Sequence, residues 1–254
     1  MKYKYSYTVQ YQDVDVSRRI RLHTFENCLL NVAGHVADEM GFGIPHLLPM
    51  GYTWIITRLN LEMLYMPRHG EVLTIETWIE QNVHMLSVRD YRIYLHQEDG
   101  KEVQIGCAKS VWAVLDLEKR EIVNVFDLPM FAGAVDGDVL NIAKPMRLLP
   151  IDVDVVQEGV LTGMAEHAIQ YADVDYNRHC NSCRYLEWMS NTCLWENTAQ
   201  PFRLDINYAK ELHWGERMYT RYRRDNQSVQ YQQIDTAGTT CCTARIATIS
   251  NLSC

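Results

Sequence analysis

Two passages of this chain are written twice, in the same order. "VQYQDVDVSRRIR" (9–21) returns as "IQYADVDYNRHCN" (169–181) at an offset of 160 residues. "RLNLEMLYMPRHGE" (58–71) returns as "RLDINYAKELHWGE" (203–216) at an offset of 145. Chance explains one echo, but it is a poor account of both, so a tandem duplication is expected. The smaller second offset places an insert in the first copy, around "GFGIPHLLPMGYTW".

Each copy opens on an alternating segment, read as a strand through Tyr7, Val9 and Tyr11 and through Ile169 and Tyr171. A helix follows. Phe25, Leu29, Val32, Val36 and Met40 make one apolar stripe, and Tyr185, Met189 and Cys193 make its counterpart, in a helix over 182–195. Long strands come next: "EVLTIETWIE", "VHMLSVRDYRIYL" and "EVQIGCAKSVWAVLD" in the first copy, "FRLDINYA", "RMYTRYR", "SVQYQQID" and "CCTARIATI" in the second. One helix and about five antiparallel strands per copy predict an α+β unit whose curved sheet wraps its helix. Each unit alone is near the small end for a stable core, so one continuous sheet is expected. The division runs 1–135, a linker at 136–160 rich in Gly, Asp and Pro, and 161–254.

Composition narrows the function classes. The formal charge of −8 over 254 residues argues against a nucleic-acid binder. An acidic partner would need a local basic patch, for which Arg18, Arg19 and Arg21 or Arg221, Arg223 and Arg224 are candidates if they are more than solvated faces. The start "MKYKYSYTVQYQ" alternates, unlike a signal peptide. No stretch approaches the ~18 apolar residues of a membrane span. The expectation is a cytoplasmic protein with eight reduced cysteines and no membrane partner. Cys180 and Cys183 form a CxxC beside His179, but nothing completes four zinc ligands. No metal, nucleotide or flavin signal is present, so no cofactor is expected.

The copies differ where chemistry is possible. Asp175, Asn177 and His179 stand where the first copy has Asp15, Ser17 and Arg19; Glu211 stands where it has Met66. In an extended segment, positions i, i+2 and i+4 project together, just ahead of a helix N-terminus whose N–H groups can stabilise an anion. Capping explains Asn177 or Asn181 singly. It does not explain why His179 and Glu211 share a copy.

These residues resemble a known family, the acyl-acyl carrier protein thioesterases. "DVDYNRHCNSCRYLEW" is similar to its Asp-x-Asn-x-His signature through Asp175, Asn177, His179, Asn181, Tyr185 and Trp188. "INYAKEL" sets Glu211 on the family's catalytic Glu. Trp54, Thr57, Arg58, Gly70, Thr77, Trp78 and Trp112 extend the likeness through the first half. The resemblance implies a tandem double hotdog, with two antiparallel sheets each wrapped round a central helix. It implies hydrolysis of fatty acyl thioesters, an acyl carrier protein bearing a phosphopantetheine-linked chain as partner, and Asp175, Asn177, His179 and Glu211 as catalytic residues. Many plant members carry a Cys directly after the Glu; here Leu212 stands there, which excludes a Cys/His mechanism at that place. The chain begins directly at the first unit, so no transit segment is expected.

The mechanism expected is water activation by Glu211 or Asp175, directly or through His179, with Asn177 orienting the thioester and the 182–195 helix start polarising its carbonyl. Asp15 keeps the place of Asp175 in the other copy, which favours a structural role for Asp175. Cys180 is read as a buried thiol. The helix stripe and strands of the first copy are candidates for lining an acyl tunnel, with plain core packing as the simpler reading. A coenzyme A thioesterase, a hotdog dehydratase and a non-catalytic acyl-binding protein remain open, as does a homodimer.

Overall fold

The computed structural model describes residues 1–131, 133–143, 148, 150–151, 159–195 and 200–254. The first copy contains β1 (Tyr3–Thr8), α1 (Leu22–Glu39), the short α2 (Ile44–Leu47), β2 (Tyr52–Met63), β3 (Val72–Val83), β4 (Leu86–His96), β5 (Glu102–Asp116) and β6 (Ile122–Val123). The second contains β7 (Leu161–Ala168), α3 (Ser182–Thr192), β8 (Phe202–Tyr208), β9 (Arg217–Arg224), β10 (Ser228–Asp235) and β11 (Thr240–Thr248). The insert expected in the first copy falls on the end of α1, which outruns α3, and on α2.

The strands form one antiparallel sheet in the order β1-β3-β4-β5-β2-β8-β11-β10-β9-β7, with β6 beside β5. The order of the second copy mirrors that of the first. At the centre β2 pairs with β8, Leu59 facing Ile206 and Leu61 facing Leu204. Arg58 faces Asn207 there, and Glu62 faces Arg203. Arg58 and Arg203 are echoed residues, so these two pairs exchange under the internal twofold relation. The expected tandem hotdog with a continuous sheet is the fold observed.

The helices lie on one face of the sheet, packed on each other. Phe25, Leu29 and Val32 of α1 share one hydrophobic core with Leu186 and Met189 of α3 and with Leu61, Leu204 and Ile206 of the central strands. The helix stripe read from the sequence is therefore buried core, except that Met40 is half-buried at the C-cap. At that end Gly41 takes a φ of +81°, and Phe42 N donates to Ala37 O while Gly41 N donates to Asp38 O. This is a Schellman closure, and it turns Phe42 back onto Ala37 in a second, smaller core.

Two expectations need correction. The alternation through Tyr11 and through Tyr171 is not strand: β1 ends at Thr8, β7 ends at Ala168, and residues 11–13 and 171–173 each make a 3-10 turn. The Asp13 and Asp173 carboxylates accept from the Gln10 and Gln170 N–H groups at 2.7 and 2.8 Å. That local bond competes successfully with the sheet ladder. Nor are all eight cysteines free, because Cys107 on β5 is bridged to Cys254. The terminal segment crosses the outer face of the sheet, where Ser253 N donates to Glu62 at 2.8 Å, and this delivers Cys254 to Cys107.

Much of the expected linker, 136–160, lies outside the described residues. Its described part also crosses the outer face, with Trp78 Nε1 donating to Asp138 O and Leu140 N to Asp90. Among the described residues no helix is long and apolar enough to cross a membrane. Denatured without reductant, the protein should titrate as six thiols, rising to eight after reduction. Eight thiols at the outset would remove the Cys107–Cys254 bridge.

Candidate active site

Both echoed passages fold into the same pair of loops, and within each copy the two loops are bonded together. In the first copy Val9 N donates to Glu71 O, Gly70 N to Val9 O and Ile20 N to Pro67 O. In the second, Ile169 N donates to Glu216 O, Gly215 N to Ile169 O and Cys180 N to Leu212 O. The echoes recur together because each is the hydrogen-bonding partner of the other. Arg18 and Arg178 stand at the loop tips with φ near +63° and +64°, an uncommon state for a residue with a side chain. Asp15 and Asp175 stabilise these tips, accepting from the N–H of Ser17 at 2.7 Å and of Asn177 at 2.8 Å. The carboxylate shared by both copies is thus used by the backbone in both.

Asp175, Asn177, His179 and Glu211 all line one cavity of about 380 Å³. They converge for a different reason from the one expected. The segment is not extended: Asp175 N donates to His179 O and Arg178 N to Asp175 O, both at 2.9 Å. A tight loop gathers the three side chains, and the neighbouring 209–213 segment brings Glu211. That segment is held by Ala209 N and Lys210 N, which both donate to Cys241 O.

His179 Nδ1 lies 3.4 Å from Glu211 Oε1. The other Glu211 oxygen accepts from the Arg120 guanidinium, which reaches over from the β5–β6 turn of the first copy. The His213 ring meets His179 edge-on, with centroids 4.8 Å apart. Burial pulls His179 below the ordinary imidazole range; Glu211 and Asp175 oppose this, while His213 and Arg120 reinforce it. The ring is therefore neutral at physiological pH and can accept a proton. A carboxylate at Nδ1 favours the tautomer with its proton there, leaving the lone pair on Nε2. Burial also raises the Asp175 carboxyl, and the bonds from Asn177 and the charge of His179 act against the rise.

The helix start offers less than expected. Asn181 caps α3, its Oδ1 accepting from Cys183 N at 3.0 Å and its carbonyl from Arg184 N. Among the described residues, the Ser182 N–H is the one left at the cavity wall. Cys180 is buried, and that burial pushes its thiol well up, so it is no thiolate. Leu212 is fully buried in the core, as is Met66, the counterpart of Glu211. Arg120 was not singled out from the sequence. It sits 91 residues from Glu211 in an ordinary "EKRE" turn, and no local pattern marks it.

The second copy adds Tyr176, Tyr185 and Tyr208 to the lining, and the first copy supplies most of the rest of the wall. Its α1 wall is Asn27, Leu30, Asn31, Ala33, Gly34 and Ala37, and none of the stripe residues Phe25, Leu29, Val32, Val36 and Met40 is part of it. Across from it stand Trp54 and Trp112, edge-on to each other at 6.4 Å. Trp54 is fixed by a 2.9 Å bond from Nε1 to Phe42 O. The chamber thus combines small residues (Ala33, Gly34, Ala37), two tryptophans and a few polar side chains, the mixed lining of a small-molecule pocket.

Models of the acyl-ACP thioesterase N-terminal and C-terminal domains match residues 1–128 and 162–249. A chloroplastic oleoyl-acyl carrier protein thioesterase of Coriandrum sativum is 24% identical over 241 residues, covering 89% of this chain and 60% of its own length. A chloroplastic palmitoyl-acyl carrier protein thioesterase of Arabidopsis thaliana is 22% identical across 99% of this chain and 59% of its own length. The chain thus spans about 60% of the length of these curated relatives. The crystal structure of an acyl-ACP thioesterase from Bacteroides thetaiotaomicron has a TM-score of 0.81 at 26% identity, with 97% of each chain covered.

If the Arg120 charge helps hold His179 neutral, Arg120→Gln should raise the midpoint of the acid limb of kcat/KM. In the unaltered protein that midpoint should lie below the ~6.5 of a free imidazole. A pH–rate profile of both proteins checks the direction; an unmoved or lowered limb in the variant removes Arg120 from the site's electrostatics.

Proposed function

The chain belongs to the acyl-ACP thioesterase family, and on that premise we propose that it hydrolyses fatty acyl thioesters of acyl carrier protein to free fatty acid and holo-carrier, ending fatty acid synthesis. One observation carries the reading: a single cavity has Asp175, Asn177, His179 and Glu211 at one end and continues into a chamber lined mainly by the other copy. We assign acyl binding to residues 1–135 and chemistry to 161–254, joined by 136–160.

In the reaction a water oxygen attacks the thioester carbonyl carbon as His179 takes its proton. Glu211 orients the imidazole and stabilises the imidazolium. The Ser182 N–H and the Asn177 amide are the donors for the developing oxyanion. The C–S bond then breaks and His179 returns the proton to the departing sulfur. A thiol with a pKa of ~8.5 leaves without a strong acid, so one histidine serves both steps. Asp175 keeps the loop in shape. The Cys/His alternative finds no support, because Leu212 occupies the relevant place and Cys180 is a buried thiol.

Gly34 supports the chamber reading. A glycine inside a helix costs about 0.5–1 kcal/mol relative to alanine. Here an added Cβ would meet nothing within 4 Å, and the position faces the cavity. The position is exposed, and an acyl chain would fit the open space beside it.

The cytoplasmic location expected from the sequence stays part of this proposal. Six buried or half-buried free thiols suit a reducing compartment. The Cys107–Cys254 bridge is the feature that weighs against it.

Thiol release from matched carrier-protein and coenzyme A thioesters should favour the carrier. His179→Ala should lower the rate by roughly 10²–10⁴, and Glu211→Ala should also lower it. Turnover indifferent to both changes would remove the site assignment; turnover on coenzyme A esters alone would replace the carrier. Gly34→Leu should preserve or raise the unfolding temperature while shifting turnover towards shorter chains. An unchanged chain-length profile would show that the acyl group lies elsewhere.

A further inference from the structure

Among the described residues two cations are buried, Lys109 and Arg89, and they differ in their partners from each other and from the half-buried Arg203. Lys109 lies against Glu80 and 3.2 Å from Asp90. Arg203 holds Glu62 at 3.0 Å and Asp205 at 2.8 Å. Arg89, on β4, is 4% exposed, yet among the described residues no carboxylate lies within 4 Å of it. Among the described residues its guanidinium makes one hydrogen bond, a long one to Thr77 Oγ1 at 3.4 Å. That hydroxyl already donates to Asp90 O at 2.8 Å. Burial works against its charge, and the other groups acting on that charge are the phenols of Tyr91, Tyr3 and Tyr5.

Arg89 lines the acyl cavity. So does Ser87, two residues earlier on the same face of β4 and 3% exposed. The Ser87 hydroxyl has no hydrogen-bond partner among the described residues. The cavity wall on this strand is therefore polar, with a guanidinium of five donors and a hydroxyl side by side. It is also remote from the chemistry. Arg89 faces Ser110, Ser110 faces Leu59 and Leu59 faces Ile206 across β5, β2 and β8. Three strand spacings of about 4.8 Å put β4 roughly 14 Å from the strand that leads into Glu211.

A plain hydrocarbon tail would leave this cation buried, desolvated and unpaired, which is strongly unfavourable. We propose that Arg89, with Ser87, is a specificity site for acyl chains that carry an acceptor oxygen (a hydroxyl, keto or carboxylate group) in their distal part. The proposal rests on the thioesterase reading for how the chain enters. It adds what the far wall recognises. Arg89 is the group to which such an oxygen pairs, and its fork of donors suits a carboxylate best.

Two measurements separate this inference from the reading beneath it. The first is kcat/KM for carrier-protein thioesters of equal chain length whose far end is unsubstituted, hydroxylated or carboxylated. The intact protein should prefer an oxygenated chain by about tenfold or more. Arg89→Met should invert the preference, and Arg89→Lys should keep part of it. The second is calorimetric binding of the corresponding free acids, which needs no turnover. It should show the same order and the same loss in Arg89→Met. Thermal melting checks that each variant folds; if Arg89→Met does not, Arg89→Lys and Ser87→Ala carry the comparison. An unsubstituted chain preferred or equal in both measurements, or a preference that survives Arg89→Met, overturns the proposal. Selective binding without any thiol release would uphold the pocket's chemistry and remove the thioesterase reading instead.

Discussion

Strands β2 and β8 lie side by side at the centre of the sheet, and their ladder is the contact on which the site depends. It converts two small curved sheets into one and lets both helices share a single core. It also sets the Asp175–His179 loop of one copy against the α1 wall of the other. Arg120 could not reach Glu211, nor could Tyr208 of β8 reach Glu26 of α1, without that seam. Glu26 is fully buried, and burial raises its carboxyl to about 7, with the Tyr208 phenol acting against the rise. The junction between the copies is therefore polar as well as apolar, and specific in register.

The repeats persist for a mechanical reason. The second Asp of each DVD passage braces a loop whose tip residue has positive φ, and the second echo supplies the carbonyls and N–H groups that hold the loop in place. These demands are the same in both copies, so the same residues meet them. What each loop then displays is free to differ. The first copy shows Ser17 and Arg19 above a buried Met66, and the second shows Asn177 and His179 beside Glu211.

Much of this was legible because it is periodic or repeated. The long strands, the insert after α1 and the concentration of polar groups in one copy all follow from local pattern. The rest depends on contacts that pattern cannot carry. The Asp-Asn-His set was read from an extended geometry, whereas a tight loop assembles it. The stripe of α1 was a candidate tunnel wall, yet Phe25, Leu29 and Val36 are core, and the cavity uses a neighbouring face bearing Asn31 and Gly34. Arg120, Arg89 and the Cys107–Cys254 bridge involve partners far apart in sequence, and each is an ordinary residue in its own neighbourhood.

The covalent join between the copies has an evolutionary consequence. In an assembly of two identical chains every substitution appears twice, so a residue that widens a pocket also alters the loop opposite. Here Gly34 and Arg89 stand in one half, and His179 and Glu211 in the other, each encoded once. On the proposed reading, changes in what is admitted need not disturb what is done to it. Such a chain can explore new cargo by drift in its first half while purifying selection guards the second.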